Sequence, residues 1–328
     1  MLGQMERIAV TGGSGFIGTS LIGELSGTSQ SLLLNLDKVP PKEVAFTSIW
    51  RPCNILNSQE LHAIFAAFNP TMIVHLAGRT DMQGKTITDY EANHIGTTNL
   101  IAAIKRIPEV RRVVFTSSQF VVRPGAMPSS DLDFRPHTIY GESKAESERA
   151  IQGSGLSCTW TIIRPTNIWG RWHPRYPSEF WKVLKQGRYF HPGKRSVCRS
   201  YGYVRTVAKQ ICAILRGDKR VVDRQIFYVG DPPIDLLEWT NAFSRELRGT
   251  PVRIVPRSVV RGIAIIGDIV IAAGGEFPLF TSRYQSMTES YPTPMTKTFD
   301  CFGMPTITLE EGVKETVAWL RDRDSFWR

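Results

Sequence analysis

The chain of 328 residues is long enough for one large two-lobed unit or two modest domains, and its 42% hydrophobic and 21% charged residues are ordinary for a globular protein. Its formal net charge of +10 indicates tolerance of anionic neighbours but excludes no class of partner. The five cysteines are widely spread and form no C-x-x-C pair, which argues against a disulfide framework or a zinc site. We therefore expect a cytoplasmic protein without a metal ion.

The N-terminal segment MLGQMERIAVTGG enters a strand-like run directly, so no signal peptide is predicted. The most apolar later stretch, residues 259–275, is interrupted by Arg261 and Asp268 and is too short to span a bilayer comfortably. We expect it to form an amphipathic helix packed on the protein. Basic residues flank the segment, so membrane contact, at most peripheral, stays open as the alternative to packing on the protein.

Short apolar runs alternate with helix-like segments in the first half of the chain. The runs RIAVTGG, SLLLNLD, MIVHLAG, RRVVFTSS and TWTIIRP are typical of strands buried on both faces. This alternation predicts an α/β fold with a doubly wound parallel sheet over residues 1–165, joined by a return strand and helix near 203–230. Residues 166–202 and 231–328 would form a smaller, mixed substrate-binding lobe, ending in a helix capped by Thr308 and Glu311.

The segment TGGSGFIG places Gly12, Gly15 and Gly18 between the first strand and the following helix, and Asp37 closes the second strand nineteen residues after Gly18. This is the context of a Rossmann-type dinucleotide site, in which glycines let the backbone approach a pyrophosphate and a carboxylate accepts hydrogen bonds from ribose hydroxyls. A carboxylate would repel the 2′-phosphate of NADP. The motif, which includes Phe16 and Ile17, therefore predicts NAD, and the adjacent Lys38 leaves NADP as the alternative.

The segment IYGESK places Tyr140 and Lys144 four residues apart, hence on one face if the segment is helical. Such a pair is either a solvated surface stripe or a phenol held beside an ammonium, which favours the phenolate and lets tyrosine act as a base. The spacing alone leaves both interpretations open.

Ten lysines and arginines and one acidic residue, Glu179, lie between Arg164 and Arg205. This segment could be a solvated basic face, a nucleic-acid patch or a pocket for a multiply charged small anion such as a nucleotide diphosphate.

Taken in order, the motifs resemble extended short-chain dehydrogenases/reductases, in the NAD-dependent epimerase/dehydratase family that acts on nucleotide sugars. The resemblance covers nearly the full length and rests on TGGSGFIG, Asp37, IVHLAG, NHIGTTNL, VVFTSS, Tyr140 with Lys144, RPTNIWG, CRSYGYV and LEEGVKETVAWLR. It implies that Tyr140 is the catalytic acid/base, that Lys144 holds the nicotinamide ribose and that Ser118 hydrogen-bonds the reacting substrate oxygen.

The resemblance also implies roles for residues that carry no obvious motif. Asn93 would stabilise the region of the catalytic helix, and Asn167 and Arg199 would contact the phosphates of the sugar nucleotide, without any nucleic-acid partner. A homodimer through helices of the first lobe is implied as well. The remaining residues implied to line the cofactor are Asn54, Ile55, Leu76, Ala77, Gly78 and the backbone near Pro165.

The chain departs from the family pattern at three positions. Asn54 stands where many relatives have an aspartate facing adenine, and its oxygen can still accept a hydrogen bond. Val122 replaces a frequent tyrosine, and Thr206 replaces a common aspartate. These last two departures leave the substrate side open.

The residues beside Ser118 bear on the reaction. Related 4,6-dehydratases carry Thr-Asp-Glu where this chain has Ser118, Gln119 and Phe120, and related decarboxylases place a glutamate at the position of Phe120. The resemblance therefore implies a nucleotide-sugar 4-epimerase that removes and returns hydride through a 4-keto intermediate. The alternatives are a reductase of a nucleotide-linked 4-keto sugar, a sterol-type dehydrogenase and a non-catalytic cofactor-sensing protein.

Overall fold

The structure is a computed structural model that describes residues 5–27, 31–126 and 128–323. The strands are β1 (Glu6–Thr11), β2 (Ser31–Asp37), β3 (Trp50–Pro52), β4 (Met72–His75), β5 (Arg112–Thr116), β6 (Thr159–Pro165), β7 (Asn167–Trp169), β8 (Phe190–Pro192), β9 (Cys198–Arg199), β10 (Tyr201–Tyr203), β11 (Gln225–Val229), β12 (Ile234–Asp235) and β13 (Arg253–Val255). The α-helices are α1 (Phe16–Ser26), α2 (Ser58–Phe68), α3 (Glu91–Ile104), α4 (Ile139–Gln152), α5 (Lys182–Lys185), α6 (Val204–Arg216), α7 (Lys219–Val222), α8 (Leu236–Arg248), α9 (Arg257–Ala272), α10 (Thr281–Thr288), α11 (Thr296–Phe302) and α12 (Leu309–Arg321). Short 3₁₀ turns span Val44–Ile49, Ile87–Tyr90 and Gln119–Val121, and a π-helical turn spans Pro177–Trp181.

Seven parallel strands form the central sheet, in the order β11-β6-β5-β4-β1-β2-β3. The chain builds outward from β1 to β3 and then returns to the other side of β1 with β4, so β1 and β4 are neighbours. This reversal creates a crevice at the carboxyl ends of β1 and β4, where doubly wound sheets bind ligands. The predicted α/β fold with a doubly wound parallel sheet is confirmed.

The strands of the sheet are apolar because helices cover them. Ile8, Ala9 and Val10 in β1 are fully buried, and every residue of β6 is buried. One core lies where α2 and α3 meet the sheet, with Phe65 and Leu100 fully buried. Helix α1 packs against α6, and α3 packs against α4. The packing therefore fixes the ends of β1, β4 and β5, which carry the predicted site.

The chain divides into two compact units. The first comprises residues 1–168, 202–231 and 294–306 and contains the central sheet; the second comprises residues 169–201, 232–293 and 307–328. Residues 294–306 fall within the range that the sequence analysis assigned to the second lobe, yet they pack in the first unit. There the Thr298 hydroxyl donates to the Tyr228 carbonyl at 2.6 Å, and the rings of Phe227 and Phe302 lie 5.2 Å apart.

The second unit is built around aromatic side chains and helices. Trp239 on α8 stacks on Tyr201 with 4.2 Å between ring centroids, and the α8 residue Phe243 contacts Trp169 at 5.2 Å. Helix α12 begins with the predicted capping box: Glu311 N–H donates to the Thr308 hydroxyl, and the Glu311 carboxylate accepts from Thr308 N–H. None of the helices in the described part of the chain is long and apolar enough to cross a membrane.

Candidate active site

The glycine-rich loop between β1 and α1 packs so closely against neighbouring backbone that a side chain would not fit there. Gly12 has φ of +74°, and a Cβ there would lie 2.5 Å from the backbone nitrogen of Ala77. A Cβ on Gly18 would collide with the Gly12 carbonyl oxygen, and Gly15 is the N-cap residue of α1. Tight backbone packing and the positive end of a helix are what a pyrophosphate requires.

Asp37 ends β2 beside this loop. Its carboxylate accepts hydrogen bonds from the backbone N–H of Ser14 at 3.1 Å and of Val39 at 3.2 Å. The side chain is half-buried, whereas that of Lys38 is exposed. The carboxylate is thus held in place by the glycine loop itself, as a hydrogen-bond acceptor for ribose hydroxyls must be.

The segment Leu76–Gly78 leaves β4 across the crevice from the loop. Leu76 N–H donates to the Thr11 carbonyl at 2.9 Å, which ties the ends of β4 and β1 together. A Cβ on Gly78 would lie 2.6 Å from Asn93 Oδ1 and 3.4 Å from Lys144 Nζ. The backbone at Gly78 and the ammonium of Lys144 therefore lie side by side.

Asn93 joins three segments around this point. Its amide donates to the Arg79 carbonyl at 3.1 Å and to the Ser143 hydroxyl at 2.9 Å, and its Oδ1 accepts from Arg79 N–H at 2.8 Å. The side chain is 1% exposed, so these bonds are shielded from water. Asn93 fixes α4 to the loop that follows β4.

Lys144 is buried on α4, and its Nζ donates to the Thr116 carbonyl at the end of β5, 3.0 Å away. Burial lowers the pKa of Lys144 from 10.5 to about 8, and the charge of Glu148 opposes part of that shift. At neutral pH the side chain is still mostly an ammonium.

Tyr140 lies one turn before Lys144 on the same face of α4 and is 7% exposed. Its ring is 5.9 Å from the ring of Tyr90 and 6.1 Å from that of Phe120. The surface-stripe interpretation of Tyr140 and Lys144 is therefore wrong: both side chains are buried at the carboxyl edge of the sheet.

Ser118 follows β5 and starts the turn Gln119–Val121, where its hydroxyl accepts from Phe120 N–H at 3.2 Å. Like Tyr140, it is buried in the first unit. The next side chains bring no acid or base, since Gln119 is an amide and Phe120 packs its ring between His137 and Tyr140.

A buried ion pair behind Lys144 escaped the sequence analysis. Glu148 is one turn further along α4, and both of its oxygens accept from Arg164 of β6 at 2.8 Å. Burial lowers the pKa of Arg164, but the hydrogen bonds and the charge of Glu148 outweigh it, and the net shift is upward. The spacing of four between Lys144 and Glu148 places the two side chains on one face of α4, but it does not identify Arg164 as the partner. Arg164 therefore does not belong to an anion pocket.

A second residue missed by sequence reasoning is His75 at the end of β4. Its Nδ1 lies 2.7 Å from the Thr11 hydroxyl and its Nε2 lies 3.2 Å from that of Thr97. Burial, followed by the charge of Lys144, lowers its pKa to about 3. His75 is therefore a neutral imidazole that joins β1, β4 and α3, rather than a proton-transfer group.

The other cofactor residues in the sequence analysis lie at the same edge of the sheet. Ile55 is buried against Gly96 of α3, and Pro165 ends β6, with Thr166 N–H donating to the Val229 carbonyl. Asn54 is exposed after β3, and its Oδ1 accepts from Leu56 N–H at 3.1 Å, so that oxygen already has a partner.

The substrate residues in the sequence analysis divide between the units. Asn167 is half-buried in β7 and belongs to the first unit, whereas Arg199 is in β9 of the second. Arg199 donates through Nη1 to the Glu289 carbonyl at 3.2 Å, and its guanidinium lies 5.8 Å from the Tyr291 ring centroid. Its Nε is buried and has no hydrogen-bond partner within the described chain.

The basic segment does not form one patch. Arg164 forms an ion pair with Glu148, and Arg205 forms one with Glu24 at 3.2 Å, both within the first unit. All eight intervening cations, including Arg175, Arg188 and Lys194, belong to the second unit. Ten neighbouring cations in sequence therefore do not become ten convergent charges.

Val122 and Thr206, two of the departures from the family pattern, are both buried in the first unit. Val122 is buried in a small apolar cluster with Val121 and Ala145, so its side chain serves packing. Thr206 is buried near the start of α6, where Tyr203 N–H donates to Asp231 at 2.6 Å and burial raises the pKa of Asp231 to about 6. A carboxylate from the end of β11 thus lies at the start of this helix.

Two of the chain's relatives catalyse different reactions. A 3-beta-hydroxysteroid dehydrogenase of Mycolicibacterium neoaurum is 31% identical over 187 residues, which are 51% of this chain and 49% of that protein. The N-acetyl-alpha-D-glucosaminyl-diphospho-ditrans,octacis-undecaprenol 4-epimerase of Escherichia coli O157:H7 is 26% identical over 214 residues, 63% and 62% of the two chains. The chain thus spans about half of the first relative and under two thirds of the second.

Among solved structures, the UDP-glucose 4-epimerase of Thermotoga maritima with UDP-glucose superimposes with a TM-score of 0.74 at 19% identity, covering 96% of this chain and 99% of that one. At this identity the likeness establishes the fold alone.

The residues at this edge of the sheet fit a dinucleotide. Gly12, Gly18 and Gly78 lie where a Cβ would collide with neighbouring atoms, so the backbone packs closely there, and Asp37 and Lys144 offer a hydrogen-bond acceptor and a cation. The model of the NAD dependent epimerase/dehydratase family matches residues 8–230, more than half of the chain. The chain belongs to this family of NAD-dependent enzymes.

Proposed function

We propose that the protein is an NAD-dependent epimerase of a nucleotide-diphosphate sugar that inverts C4 through a 4-keto intermediate. The observation that carries this proposal is a buried Tyr140 one turn from a buried Lys144, with no second acid or base at residues 119 and 120. Elimination or decarboxylation would need a further proton-transfer group there. Hydride removal and return need only one.

Bound NAD supplies a hydride acceptor that can also give the hydride back. Tyr140 takes the proton of the substrate hydroxyl and returns it in the reverse step, while the adjacent ammonium of Lys144 favours the phenolate. The Ser118 hydroxyl orients the reacting oxygen. Asn93, Ser143 and Thr116 hold α4 in place, so the proton-transfer geometry is set before substrate binds.

Arg199 and Asn167 would hold the substrate diphosphate. The Nε of Arg199 is buried and has no hydrogen-bond partner among the described residues. This supports the role, because such a donor gains a charge-assisted hydrogen bond when an anion binds. The homodimer through helices of the first lobe is proposed on the family resemblance alone.

The test is to incubate the purified protein with UDP-glucose and UDP-galactose separately and to follow each hexose at C4 by proton NMR without added cofactor. The proposal predicts interconversion in both directions and release of NAD when the protein is denatured. Tyr140→Phe is the matched control and should retain NAD without interconversion. The epimerase proposal fails if wild-type protein with bound NAD converts neither sugar nor any other nucleotide-hexose.

A steroid dehydrogenase is the second candidate, favoured by the 31% identity with the 3-beta-hydroxysteroid dehydrogenase. Arg164 and Arg205 form ion pairs within the first unit, so their charges are already neutralised. The ten cations of the basic segment are therefore a weaker argument against an uncharged substrate than their number suggests. NADH formation from a 3β-hydroxysteroid, with no change in UDP-hexoses, would favour this candidate. Oxidation of NADPH by a 4-keto nucleotide sugar would instead identify the reductase.

A further inference from the structure

Helix α9 of the second unit is apolar on two opposite faces. Val260, Ala264 and Gly267 recur at helical spacing and form its buried face. On the opposite face lie Val259 (49% exposed), Ile265 (48%), Ile266 (55%) and Ile269 (65%). Soluble helices normally present polar residues there, so this outward apolar face is a candidate interaction surface.

The segment after α9 covers only the inner face. A Cβ on Gly267 would collide with the Leu279 carbonyl oxygen and lie 2.7 Å from the Phe277 ring. The Asp268 carboxylate accepts from the N–H and the hydroxyl of Thr281 at the start of α10. These contacts fix the rotation of α9 about its axis, and the outward face is defined by that rotation.

Cations border the apolar face at its N-terminal end. From Thr250 to Gly267 the chain contains Arg253, Arg257 and Arg261 and no acidic residue. Arg253 and Arg261 are exposed, and Arg257 donates through Nε to the Pro192 carbonyl at 3.2 Å.

Two more cations come from the loop after β8. Gly193 N–H donates to the Val255 carbonyl at 2.8 Å, which places the exposed Lys194 and Arg195 beside the start of α9. The apolar face therefore adjoins five basic side chains.

We propose that α9 docks this protein on an anionic lipid bilayer, lying in the plane of the interface. Isoleucines at the acyl boundary with arginines at the level of the headgroups are the pattern of peripheral helices on such surfaces. The helix has 16 residues, about 24 Å at 1.5 Å per residue, and carries charges in its length, so it lies on the bilayer.

A second copy of the chain fits this face less well. The outward side chains expose on the order of 400 Å² of apolar surface, roughly half of what each partner buries in a stable dimer. Pairing two such faces with the helices parallel would also bring two sets of arginines together, whereas anionic headgroups neutralise them.

The test is co-sedimentation with vesicles of phosphatidylcholine alone and of equal parts phosphatidylcholine and phosphatidylglycerol. The wild type should bind the anionic vesicles, bind the neutral ones far less, and lose affinity as salt rises. Ile266→Ser with Ile269→Ser should weaken binding at least tenfold. Arg253→Gln with Arg261→Gln should weaken binding to the anionic vesicles and flatten the salt dependence, which tests the same surface without touching the isoleucines.

The matched control is Val44→Ser with Leu132→Ser, which removes two exposed apolar side chains (87% and 59%) from the first unit. It should bind like wild type, and thermal melting should show all three variants folded. Failure of wild type to bind anionic vesicles would overturn the proposal, and so would an equal loss in the control. A dimer in sedimentation equilibrium that Ile266→Ser with Ile269→Ser dissociates, with vesicle binding unchanged, would assign the face to a second copy instead.

Discussion

The two units are organised by different physical means. In the first unit, backbone geometry restricts the glycine positions: Gly12 needs a positive φ, and Gly18 and Gly78 lie where any Cβ would strike backbone or a neighbouring side chain. In the second unit, aromatic side chains from three separate segments pack together: the ring of Trp239 stacks on that of Tyr201 at 4.2 Å and on that of Phe180 at 5.2 Å.

This difference explains why the cofactor is easier to assign than the substrate. A backbone requirement restricts a position to glycine and leaves a fixed spacing in the chain. An aromatic cluster can be assembled from many spacings, since ring contacts are tolerant of orientation and distance. Experiments on the first unit therefore test the proposed chemistry, whereas experiments on the second test the proposed recognition of the substrate.

The largest expected effect is in the first unit. Tyr140→Phe removes the proton-transfer group and keeps the ring that packs against Tyr90 and Phe120, so turnover should fall by about 10²–10⁴ with unchanged melting and NAD binding. Steady-state kinetics and fluorescence titration of NAD measure the two quantities. Full activity in this variant would show that Tyr140 takes no part in the mechanism, and the first unit would then not be the one that carries the proposed chemistry through this residue.

Lys144 gives the second largest effect, on stability. Its pKa in the folded protein, about 8, lies below the value of 10.5 in the unfolded chain, so the unfolded chain binds more protons between these pH values. The free energy of unfolding of wild type should therefore rise, relative to Lys144→Met, as the pH increases from 8 to 10.5. The penalty present below pH 8 is about 3 kcal/mol.

Urea midpoints measured across this pH range, on protein freed of nucleotide, check this expectation. Lys185→Met is the matched control, because it makes the same substitution at a half-buried lysine of the second unit, at the end of α5. A constant difference between wild type and Lys144→Met from pH 7 to pH 10.5 would show that Lys144 is not desolvated as its burial implies.

Arg199→Ala tests recognition in the second unit. If its guanidinium binds a substrate diphosphate, truncation should weaken UDP binding by about 1.5–3 kcal/mol and leave NAD binding intact. Arg188→Ala, an exposed cation of the same segment, should change little. Calorimetry with UDP and with a random oligonucleotide separates the outcomes: equal UDP affinity in wild type and Arg199→Ala contradicts a diphosphate site, and salt-dependent oligonucleotide binding lost in both variants indicates nucleic acid.

The fold and the cofactor were predictable because their signals are local. Buried strands are short apolar runs, α4 carries its own cap at Thr138, and the glycine loop is contiguous in sequence. The pair of Glu148 and Arg164 was not predictable, since its members are sixteen residues apart and meet only when β6 packs against α4.

The second unit yielded less to sequence reasoning. Helix α9 was expected to be amphipathic, yet the structure places isoleucines on its outer face, because the loop at 277–280 determines which side is buried. The contact that decides which face is buried therefore comes from outside the helix.

Asp37 is expected to give the smallest effect, because it selects between two forms of the same cofactor. Its carboxylate is fixed by the N–H groups of Ser14 and Val39, so it cannot turn away from a ligand at the end of β2 without losing both bonds. Asp37→Ala should weaken NAD binding about tenfold, because a charge-assisted hydrogen bond is lost, and it should improve the binding of NADP relative to NAD because the repulsion of a 2′-phosphate is gone.

Competitive titration of both cofactors measures the ratio of the two affinities, and Asp37→Asn is the control that keeps a hydrogen-bond acceptor and removes the charge. If repulsion sets the preference, Asp37→Asn should admit NADP while holding NAD more tightly than Asp37→Ala does. A wild type that already prefers NADP would show that the neighbouring Lys38, rather than Asp37, governs the choice.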